Sequence, residues 1–513
     1  MAALSPVVLD GGALPLEAVA AVARGGARVE VAPTALRRLA AARAFVERVG
    51  AGTAPVYGIT TGVGKLKDTL IPPAARAELQ RNLVLSHAGG VGPSLGEDEV
   101  RATMVLLAAA LCRGASGVRA DVVHHVVACL NQRVHPVVPE LGSLGSSGDL
   151  APLAHVAACL IGEGEAWLEG RRVPAGQALA RVRLQPLSLQ SKEGLALLNG
   201  THVMAGLGAL AVLDARVLAR LADVTGAMSL EALMGTNAAF DARIHALRPH
   251  PGQLASAANL RALTADSAII ASHRDCTRVQ DAYSLRCMPQ VHGSAREAIG
   301  FARAVLEREL GSVTDNPLVF AEPELVLSGG NFHGEPLGLA LDTLAIGLAQ
   351  LAGISERRID RLVNPLVNEA LPPFLAETSG VNSGYMIAQY VAAALVGELK
   401  RLAQPASVDS IPASGLQEDY NAMAAGSALK ARTAVRHARQ VLAIELLLAA
   451  QALDFRAPLA PGRGSAAARE AVRRRIAPLA GDRYLKADLD QTLALAEDGS
   501  VLAAVESAIG ALE

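Results

Sequence analysis

The chain has 513 residues, of which 51% are hydrophobic, 19% are charged and only 3% are aromatic. This composition supplies apolar side chains for a large core built chiefly from Ala, Leu and Val, and it favours helix over sheet. The formal net charge of -2 gives no basic field, so nucleic acid is not an expected partner.

Five widely spaced cysteines without a CxxC pair argue against a disulfide framework or a zinc site, and they indicate a reducing compartment. All five are expected to be small buried hydrophobic residues. The N-terminal segment has no basic start before its apolar residues, so no signal peptide is expected. The apolar run from Leu337 to Ile354 approaches membrane length, but Asp342 interrupts it. A buried helix of a large cytoplasmic bundle is therefore predicted.

The first 50 residues are expected to form a small mixed region, with a strand at 29–31 and a helix over 33–49. A loop with several glycines follows at 56–65. Its spacing matches neither a P-loop nor a dinucleotide-binding fingerprint, which excludes both phosphate-binding motifs. The loop carries Tyr57, which is either a surface aromatic residue or one presented to a cleft.

Helical sequence then dominates. One helix is predicted to end at His87 before a glycine pair, a further helical stretch covers 97–132, and 165–173 reads as a hairpin. From 192 to about 450 the chain is apolar with helical period, and 460–513 is expected to be a peripheral helical pair. The long helical region is interrupted by polar loops, as expected of a bundle whose loops carry function, at 248–253, 279–293, 315–317, 328–336 and 407–423.

The loop over 142–149 has two interpretations. It can be an ordinary glycine/serine turn in which Asp149 caps the next helix. Alternatively, the nitrogen of Gly148 attacks the carbonyl carbon of Ser146, and loss of two waters leaves a dehydrated Ser147 in a methylidene-imidazolone ring. Ser147 is needed because its hydroxyl is eliminated, and Gly148 because a side chain would crowd the attacking nitrogen. An isolated motif of this kind favours the ordinary turn.

Three other segments could carry chemistry. Tyr283 and Arg286 are three residues apart, hence on one side of a helical turn, and suit carboxylate binding and proton transfer. A surface ion pair is the commoner reason for such spacing. The 328–333 turn presents Asn, Phe and His, and 414–420 carries paired carboxylates that usually mark a solvated face. No zinc-protease spacing is present and no Ser-His-Asp elbow, so no metal is expected.

Taken together and in this order, the segments resemble the aromatic amino-acid ammonia-lyase family, most closely its histidine-specific branch. The resemblance runs from about Tyr57 to Met423 and is expected to cover the entire chain. The segments that carry it are YGITTGVGKL, QRNLVLSHAGGVG, GSLGSSGDLAPLAH, KEGLALLNGT, RPHPGQ, QDAYSLRC, SVTDNPLVF, SGGNFH, SERR, LPPFL, GVNSGYMIAQ and SVDSIPASGLQED.

The resemblance implies a mainly α fold, a long-helix bundle of the aspartase/fumarase-like superfamily with a smaller mixed N-terminal region. Residues 1–195 would hold the Tyr57 loop and the serine loop, and 196–513 the helical bundle and C-terminal helices, interlocked as one structural unit. It also implies a homotetramer whose active sites combine residues from more than one chain.

The implied reaction is elimination of ammonia from L-histidine to give urocanate, with no external cofactor. Ser146, Ser147 and Gly148 would form the electrophile, a 4-methylidene-imidazol-5-one. Tyr57 matches the base that removes the β-proton, and Tyr283 and Glu418 match further catalytic positions. Positions that bind substrate or surround the ring are matched by His87, Asn199, Gln280, Arg286 and Phe332. The other branches carry Gln where Glu418 stands, so its carboxylate favours an imidazole substrate.

Several positions depart from the family's histidine-specific branch. Ser146 replaces the usual Ala, which leaves the reacting atoms unchanged. Other departures, expected to cluster in loops that line the pocket, are Thr60, Val63, Lys67, His292, Leu416 and Tyr420. They leave three alternatives: elimination of trimethylamine from a thiol-histidine betaine as in ergothionase, a lyase or aminomutase acting on another aromatic amino acid, and a catalytically silent helical oligomer.

Overall fold

The computed structural model describes residues 4–513, and this part of the chain is mainly helical with nine short strands. The expected fold class is confirmed. Residues 1–3, which begin the segment without a signal-peptide pattern, lie outside the described residues.

The helices up to residue 232 are α1 (Leu16–Ala23), α2 (Pro33–Ala51), α3 (Arg76–His87), α4 (Glu97–Cys112), α5 (Ala120–Asn131), α6 (Leu150–Leu160), α7 (Ala175–Arg181), α8 (Glu193–Leu198) and α9 (His202–Ala232). The later helices are α10 (Ala242–Ala246), α11 (Pro251–Leu263), α12 (Ala268–Ala271), α13 (Tyr283–Arg286), α14 (Met288–Glu309), α15 (Glu335–Val363), α16 (Met386–Leu402), α17 (Ala424–Asp454), α18 (Arg463–Arg473), α19 (Leu485–Glu497) and α20 (Ser500–Ile509).

The strands form four small sheets. They are β1 (Val7–Leu9), β2 (Val29–Val31), β3 (Val91–Ser94), β4 (His135–Pro136), β5 (Pro139–Leu141), β6 (Glu165–Leu168), β7 (Arg171–Pro174), β8 (Leu318–Ala321) and β9 (Glu324–Leu327). β1 pairs in parallel with β2, whereas β3–β5, β4–β6–β7 and β8–β9 are antiparallel. The predicted hairpin is present as β6 and β7, in which Ala166 faces Val173.

Most local predictions hold, and the exceptions have physical causes. β2 lies where expected, and α2 starts with Pro33 in the first turn, where proline costs no hydrogen bond. The single stretch predicted over 97–132 is wrong, because the chain breaks between α4 and α5 at two glycines. One of them, Gly117, has a φ of +70°, and a Cβ atom there would lie 2.4 Å from Val46 Cγ2.

Two further segments contain more helix than expected. The 279–293 segment is a loop only in part, since α13 and the first turns of α14 lie within it. The C-terminal region contains three helices, α18 to α20, instead of a pair. The helices were missed because polarity alone does not distinguish loop residues from polar side chains that cap helices or bind buried partners.

The described chain divides into two compact units. The first comprises the described residues as far as Leu213, together with Ala302–Asp342 and Pro405–Arg432. The second comprises Asp214–Phe301, Thr343–Gln404 and Thr433–Glu513. The division expected at residue 195 and the single interlocked structure stay predictions.

Each unit has its own apolar packing. In the first, α1 packs on α4 and α3 packs on α6 and α8, and a cluster of Phe45, Val46, Ile59 and Val319 anchors the Tyr57 loop. In the second, α18 packs against α20 and α11. The Ala- and Leu-rich composition thus becomes closely packed helices with few aromatic contacts.

Two described segments are long and apolar enough to cross a membrane by length and composition, Glu193–Ala232 and Glu335–Val363. The most apolar window is completely buried in the first and 61% buried in the second. Burial of this extent is typical of core helices, as expected for the run around Asp342.

The cysteines follow the expectation only in part. Cys112, Cys129 and Cys159 are buried, and burial raises the pKa of the Cys112 and Cys129 thiols to about 12. Cys276 is exposed and Cys287 is half-buried, so the prediction that all five are buried is wrong.

Candidate active site

The serine loop that precedes α6 places Gly148 in a conformation that only glycine adopts readily, with a φ of +69°. A Cβ atom at Gly148 would lie 2.3 Å from the carbonyl oxygen of Gly200 and 2.4 Å from its nitrogen. Backbone atoms this close cannot give way to a side chain. Glycine is therefore required here by packing, in addition to the uncrowded nitrogen that ring closure needs.

Both serine hydroxyls contact the segment that begins at Glu418. Ser147 Oγ donates to Glu418 Oε1 at 3.0 Å, and Ser146 Oγ accepts from the N–H of Ala422 at 2.7 Å. The side chain of Asn199 donates to the carbonyl oxygen of Ser147 at 2.7 Å. The structure therefore brings together the predicted ring-forming serines, Asn199 and Glu418.

These contacts fit the ring that the resemblance implies. Ring closure keeps the carbonyl oxygen of Ser147, so the donor from Asn199 would remain on a ring oxygen. The hydroxyl of Ser147 is the group that leaves, and the hydroxyl of Ser146 is not consumed. Serine at position 146 adds a hydrogen bond to Ala422 without changing a reacting atom.

Asp149 ends the loop, but it does not cap the helix that follows. Its Oδ2 accepts from the N–H groups of Val203 and Met204, both at 3.0 Å, at the start of α9. Ser143 Oγ donates to Oδ1 at 3.3 Å. The expectation that Asp149 caps α6 is wrong, since α6 has no side-chain cap. Asp149 instead fastens the serine loop to α9.

Burial raises the pKa of Asp149 from 3.8 to about 7, because loss of hydration outweighs the hydrogen bonds from Met204, Val203 and Ser143. The contribution of such a carboxyl to the stability of the fold is fully present when the pH is below its unfolded-state pKa. This contribution is lost as the pH rises through the folded-state pKa, which is about 7 for Asp149. A pKa shift of this size corresponds to roughly 4 kcal/mol in the free energy of unfolding between low pH and pH above the folded-state pKa.

We expect Asp149→Asn to remove this pH dependence while keeping an oxygen acceptor for the start of α9. The wild-type apparent Tm should fall more than that of the variant between pH 5 and pH 8. Differential scanning calorimetry measures this difference, with Asp419→Asn, at an exposed position, as the control. An equal decrease in apparent Tm between pH 5 and pH 8 in wild type and Asp149→Asn would contradict the raised pKa of Asp149.

The Tyr57 loop is fixed by its neighbours. Ile59 lies in the core cluster, and Thr60 Oγ1 accepts from the N–H of Val56 at 2.8 Å. The half-buried Tyr57 accepts a hydrogen bond at its phenol oxygen from the N–H of Gly64 at 3.1 Å. Thr60 is a buried residue that stabilises the loop, so the expectation that it lines the pocket is wrong.

The Tyr57 loop also contacts the segment that carries Glu418. Its short 3-10 turn, Gly64–Leu66, lies against a second 3-10 turn, Ser414–Leu416. Lys67 Nζ donates to Gln417 Oε1 at 2.6 Å. Lys67, a departure from the family pattern, therefore joins the two segments. Tyr57, the predicted base, therefore lies on a loop that packs against the segment of Glu418, the residue to which Ser147 donates a hydrogen bond.

Two other predicted residues, His87 and Phe332, also belong to the first unit. His87 Nδ1 is 2.8 Å from the carbonyl oxygen of Leu83 in its own helix. Phe332 is half-buried beside His333, whose ring stacks on Tyr420 with centroids 6.2 Å apart. The substrate contacts of His87 and Phe332 stay predictions.

Gln280, Tyr283 and Arg286 belong to the second unit. Tyr283 and Arg286 form the two ends of α13, with Arg286 Cζ 4.6 Å from the centre of the Tyr283 ring, so the predicted shared side is confirmed. Gln280 is exposed, as is Tyr283 at 71%. Arg286 Nε is buried and has no hydrogen-bond partner among the described residues. A buried donor of this kind suits a carboxylate ligand.

His292 does not line a pocket, contrary to expectation. It is buried in α14, and its Nδ1 lies 2.7 Å from Asp223 Oδ1. Burial lowers the pKa of His292 more than Asp223 raises it. Burial also raises the pKa of Asp223, but His292 and Arg296 outweigh this and hold it at about 2. The pair therefore consists of a neutral imidazole and an ionised carboxylate.

Sequence reasoning missed a buried ion pair in the first unit. Lys192 Nζ donates to both carboxylate oxygens of Asp315 at 2.9 Å, and both side chains are buried. Burial raises the pKa of Asp315 despite the opposing effect of Lys192. The available signal was a charged residue in each of two otherwise largely uncharged motifs, Lys192 beside Glu193 in KEGLALLNGT and Asp315 in SVTDNPLVF.

A cavity of about 650 Å³ is lined by residues of the second unit, whereas the serine loop belongs to the first. None of the predicted site residues lines it. Its polar lining includes Thr236, Asn237, His273, Cys276, Arg278 and Asp281. The chemistry of the serine loop, not cavity size, therefore locates the candidate site.

Comparisons with known proteins show the family to which the chain belongs. Residues 14–474 match the family described as "Aromatic amino acid lyase". Histidine ammonia-lyase from Myxococcus xanthus is 53% identical over 502 residues, 98% of this chain and 99% of the relative. The structure of histidine ammonia-lyase from Trypanosoma cruzi has a TM-score of 0.91 at 42% identity, covering 98% of this chain and 96% of that chain.

Tyrosine aminomutase from Streptomyces globisporus has a TM-score of 0.94 at 38% identity, covering 99% of this chain and all of that chain (100%). All the predicted site residues fall inside the range that the family match covers. The chain therefore belongs to the aromatic amino acid lyase family and is a carbon–nitrogen lyase.

Proposed function

We propose that this chain eliminates ammonia from L-histidine to give urocanate, using a 4-methylidene-imidazol-5-one that forms from Ser146, Ser147 and Gly148 without an external cofactor. The observation that carries the proposal is the 3.0 Å contact of Ser147 with Glu418, a carboxylate beside the ring precursor. The high identity to relatives named histidine ammonia-lyase supports the same substrate.

The ring would supply an electrophilic carbon that makes the substrate amine a better leaving group. Asn199 would polarise the ring through its donor on the carbonyl oxygen of Ser147. Gly148 lets the loop pack against Gly200 in the required conformation. Asn199 therefore fixes the carbonyl oxygen of Ser147, and the backbone at Gly148 has a conformation suited to cyclisation.

The remaining roles follow from the chemistry of elimination. The β-proton of an amino acid is weakly acidic, so a base must take it, and Tyr57 is the proposed base. Arg286, with a buried donor that has no described partner, would bind the substrate carboxylate and align the bond to be broken. Glu418 and His87 would contact the imidazole, while Gln280, Tyr283 and Phe332 would complete the pocket.

Glu418→Gln tests the proposed selectivity. The amide keeps the shape of the side chain but loses the charge that pairs with an imidazole N–H. We expect kcat/KM for L-histidine to fall by about tenfold to a hundredfold, the loss of one charge-assisted hydrogen bond, with a smaller change for L-phenylalanine. Steady-state absorbance assays of both products measure the two ratios.

Asp419→Asn is the matched control, because the neighbouring carboxyl is exposed and removing its charge should leave both substrates unaffected. Equal losses for histidine and phenylalanine in Glu418→Gln would show that Glu418 does not recognise the imidazole.

We also propose a homotetramer with shared active sites. Large apolar side chains of the two contacting turns are exposed in the single chain, including Leu66 at 67% and Leu416 at 75%, with Tyr420 nearby at 62%. Exposed apolar residues grouped beside a site favour burial by another copy. Size-exclusion chromatography with light scattering should give four times the mass of one chain; a monomer with full activity would contradict shared sites.

The direct test is incubation of the purified protein with L-histidine, thiol-histidine betaine or L-tyrosine. We expect urocanate absorbance and an equal amount of ammonia from histidine. Release of trimethylamine from the betaine alone would support an ergothionase-like reaction. Formation of a β-amino acid from tyrosine would support an aminomutase. No reaction with any substrate would support a silent oligomer.

A further inference from the structure

The SERR segment has no role in the proposed reaction, yet two of its residues hold one buried carboxylate. On α15, Arg358 donates to Glu445 through Nε at 2.5 Å and through a terminal nitrogen at 2.9 Å, and Ser355 Oγ donates to the same carboxylate at 2.6 Å. Arg358 and Glu445 are both completely buried, at 0% exposure of their side chains. Two further hydroxyls complete the carboxylate's partners, those of Thr225 and Ser229. The guanidinium is therefore fixed in one orientation.

The remaining terminal nitrogen of Arg358, Nη1, reaches α13. It lies 3.4 Å from the carbonyl oxygen of Ser284, which stands between Tyr283 and Arg286. The same nitrogen lies 3.4 Å from Nε2 of His292. Arginine only donates hydrogen bonds, so both atoms must be acceptors.

This requirement assigns the tautomer of His292. Its Nε2 carries no proton, so Nδ1 carries it and donates to Asp223 Oδ1 at 2.7 Å. Asp223 is in turn held by Ser256, Asn259 and Arg296. A connected set of buried groups thus runs from Asp223 through His292 and Arg358 to a carbonyl of α13.

We propose that Arg358 is a positioning residue that holds α13 through the carbonyl of Ser284 and so orients Arg286 towards the substrate carboxylate; the orienting role rests on the proposed function. Four-residue helices are too short to be stable by themselves and leave carbonyl groups without helical partners. The guanidinium of Arg286 rests on the Tyr283 ring and its Nε has no described partner, so the orientation of Arg286 depends on how its backbone is held.

The competing explanation is that Arg358 and Glu445 only stabilise the fold. The two explanations differ in Nη1, because only this nitrogen reaches α13, whereas Nε and Nη2 contact Glu445. Arg358→Lys keeps a positive charge for Glu445 but cannot also supply a donor to Ser284. Ser355→Ala removes a hydrogen bond from the same carboxylate and leaves the contact with Ser284 in place.

Two readouts separate the explanations. The first is the KM for L-histidine compared with the inhibition constant of histamine, which has the imidazole but no carboxylate. Arg358→Lys should raise the KM by about tenfold and change the histamine constant by less than about twofold. Ser355→Ala should change neither at a temperature well below its Tm.

The second readout is hydrogen exchange of the α13 amides, those of Leu285, Arg286 and Cys287, whose carbonyl partners are Ala282 and Tyr283. They should exchange faster in Arg358→Lys than in wild type or Ser355→Ala. This measurement needs no turnover. If wild type does not react with histidine, the proposed function fails while hydrogen exchange still tests the positioning of α13.

His292→Met is the second variant if Arg358→Lys does not fold. It removes the acceptor for Arg358 and should raise the histidine KM by about threefold, in the same direction and again without affecting histamine. Equal behaviour of Arg358→Lys and Ser355→Ala in both readouts would overturn the proposal. So would equal changes for histidine and histamine in His292→Met.

Discussion

Ser147→Ala is expected to lower kcat for L-histidine by at least about 10³-fold, or roughly 4 kcal/mol in activation free energy. Alanine has no hydroxyl to eliminate, so the electrophile cannot form and the amine stays a poor leaving group. In the ring-bearing wild type this hydroxyl has already been eliminated, so the loss of its hydrogen bond to Glu418 does not contribute to the difference. Stopped assays with concentrated enzyme can follow urocanate at this reduced rate.

Ser146→Ala is the matched control, one residue away in the same loop. It loses the hydrogen bond from the N–H of Ala422 and should cost about 1–3 kcal/mol of stability, because that buried donor is left without its partner. It keeps every atom needed for cyclisation, so activity should change by less than about tenfold. If Ser147→Ala retained wild-type activity, the reaction would not depend on a ring formed at this serine.

Tyr57→Phe should lower kcat by about 10²- to 10⁴-fold, the usual contribution of a positioned general base. The phenyl ring keeps the packing of the loop but removes the oxygen that accepts from the N–H of Gly64. Ring formation should be unaffected, since Tyr57 is not one of the three cyclising residues. Steady-state kinetics combined with intact-mass analysis separates the two effects.

Tyr484→Phe is the control for this change, because Tyr484 is 79% exposed on the second unit and has no proposed role. An unchanged kcat in Tyr57→Phe would assign proton removal to another residue. A loss of ring formation in Tyr57→Phe would instead assign Tyr57 to cyclisation.

Local features of the site could be predicted from sequence because they depend on short-range rules. The three-residue spacing of Tyr283 and Arg286 predicts a shared side of a helical turn, which the 4.6 Å contact confirms. The serine loop was recognisable because cyclisation demands particular residues at consecutive positions. The family resemblance then added the order of the segments, which no local rule supplies.

Long-range partners could not be predicted in this way. Asp149 was expected to cap the adjacent helix, but its partners at the start of α9 are 54 and 55 residues away in sequence. Ser147 and Glu418 are 271 residues apart. Polarity alone indicated a solvated face for Glu418 and Asp419. Asp419 is exposed as expected, whereas Glu418 is half-buried and contacts Ser147, because tertiary packing decides such cases.

The partners of His292, a departure from the family pattern, also could not be predicted from sequence. With the other departures from the family pattern, His292 was expected to lie in a loop that lines the pocket. The structure gives it a buried carboxylate partner on α9, Asp223, and an arginine neighbour on α15, Arg358. A departure close to a site in sequence therefore need not touch the substrate.

The most direct test of the central claim is mass spectrometry of the purified wild-type chain, followed by fragmentation of the peptide that contains Ser146, Ser147 and Gly148. We predict a peptide lighter by two water molecules, with the loss confined to these three residues, because cyclisation and dehydration each release one. An unmodified mass in protein that converts L-histidine to urocanate would contradict the self-formed electrophile.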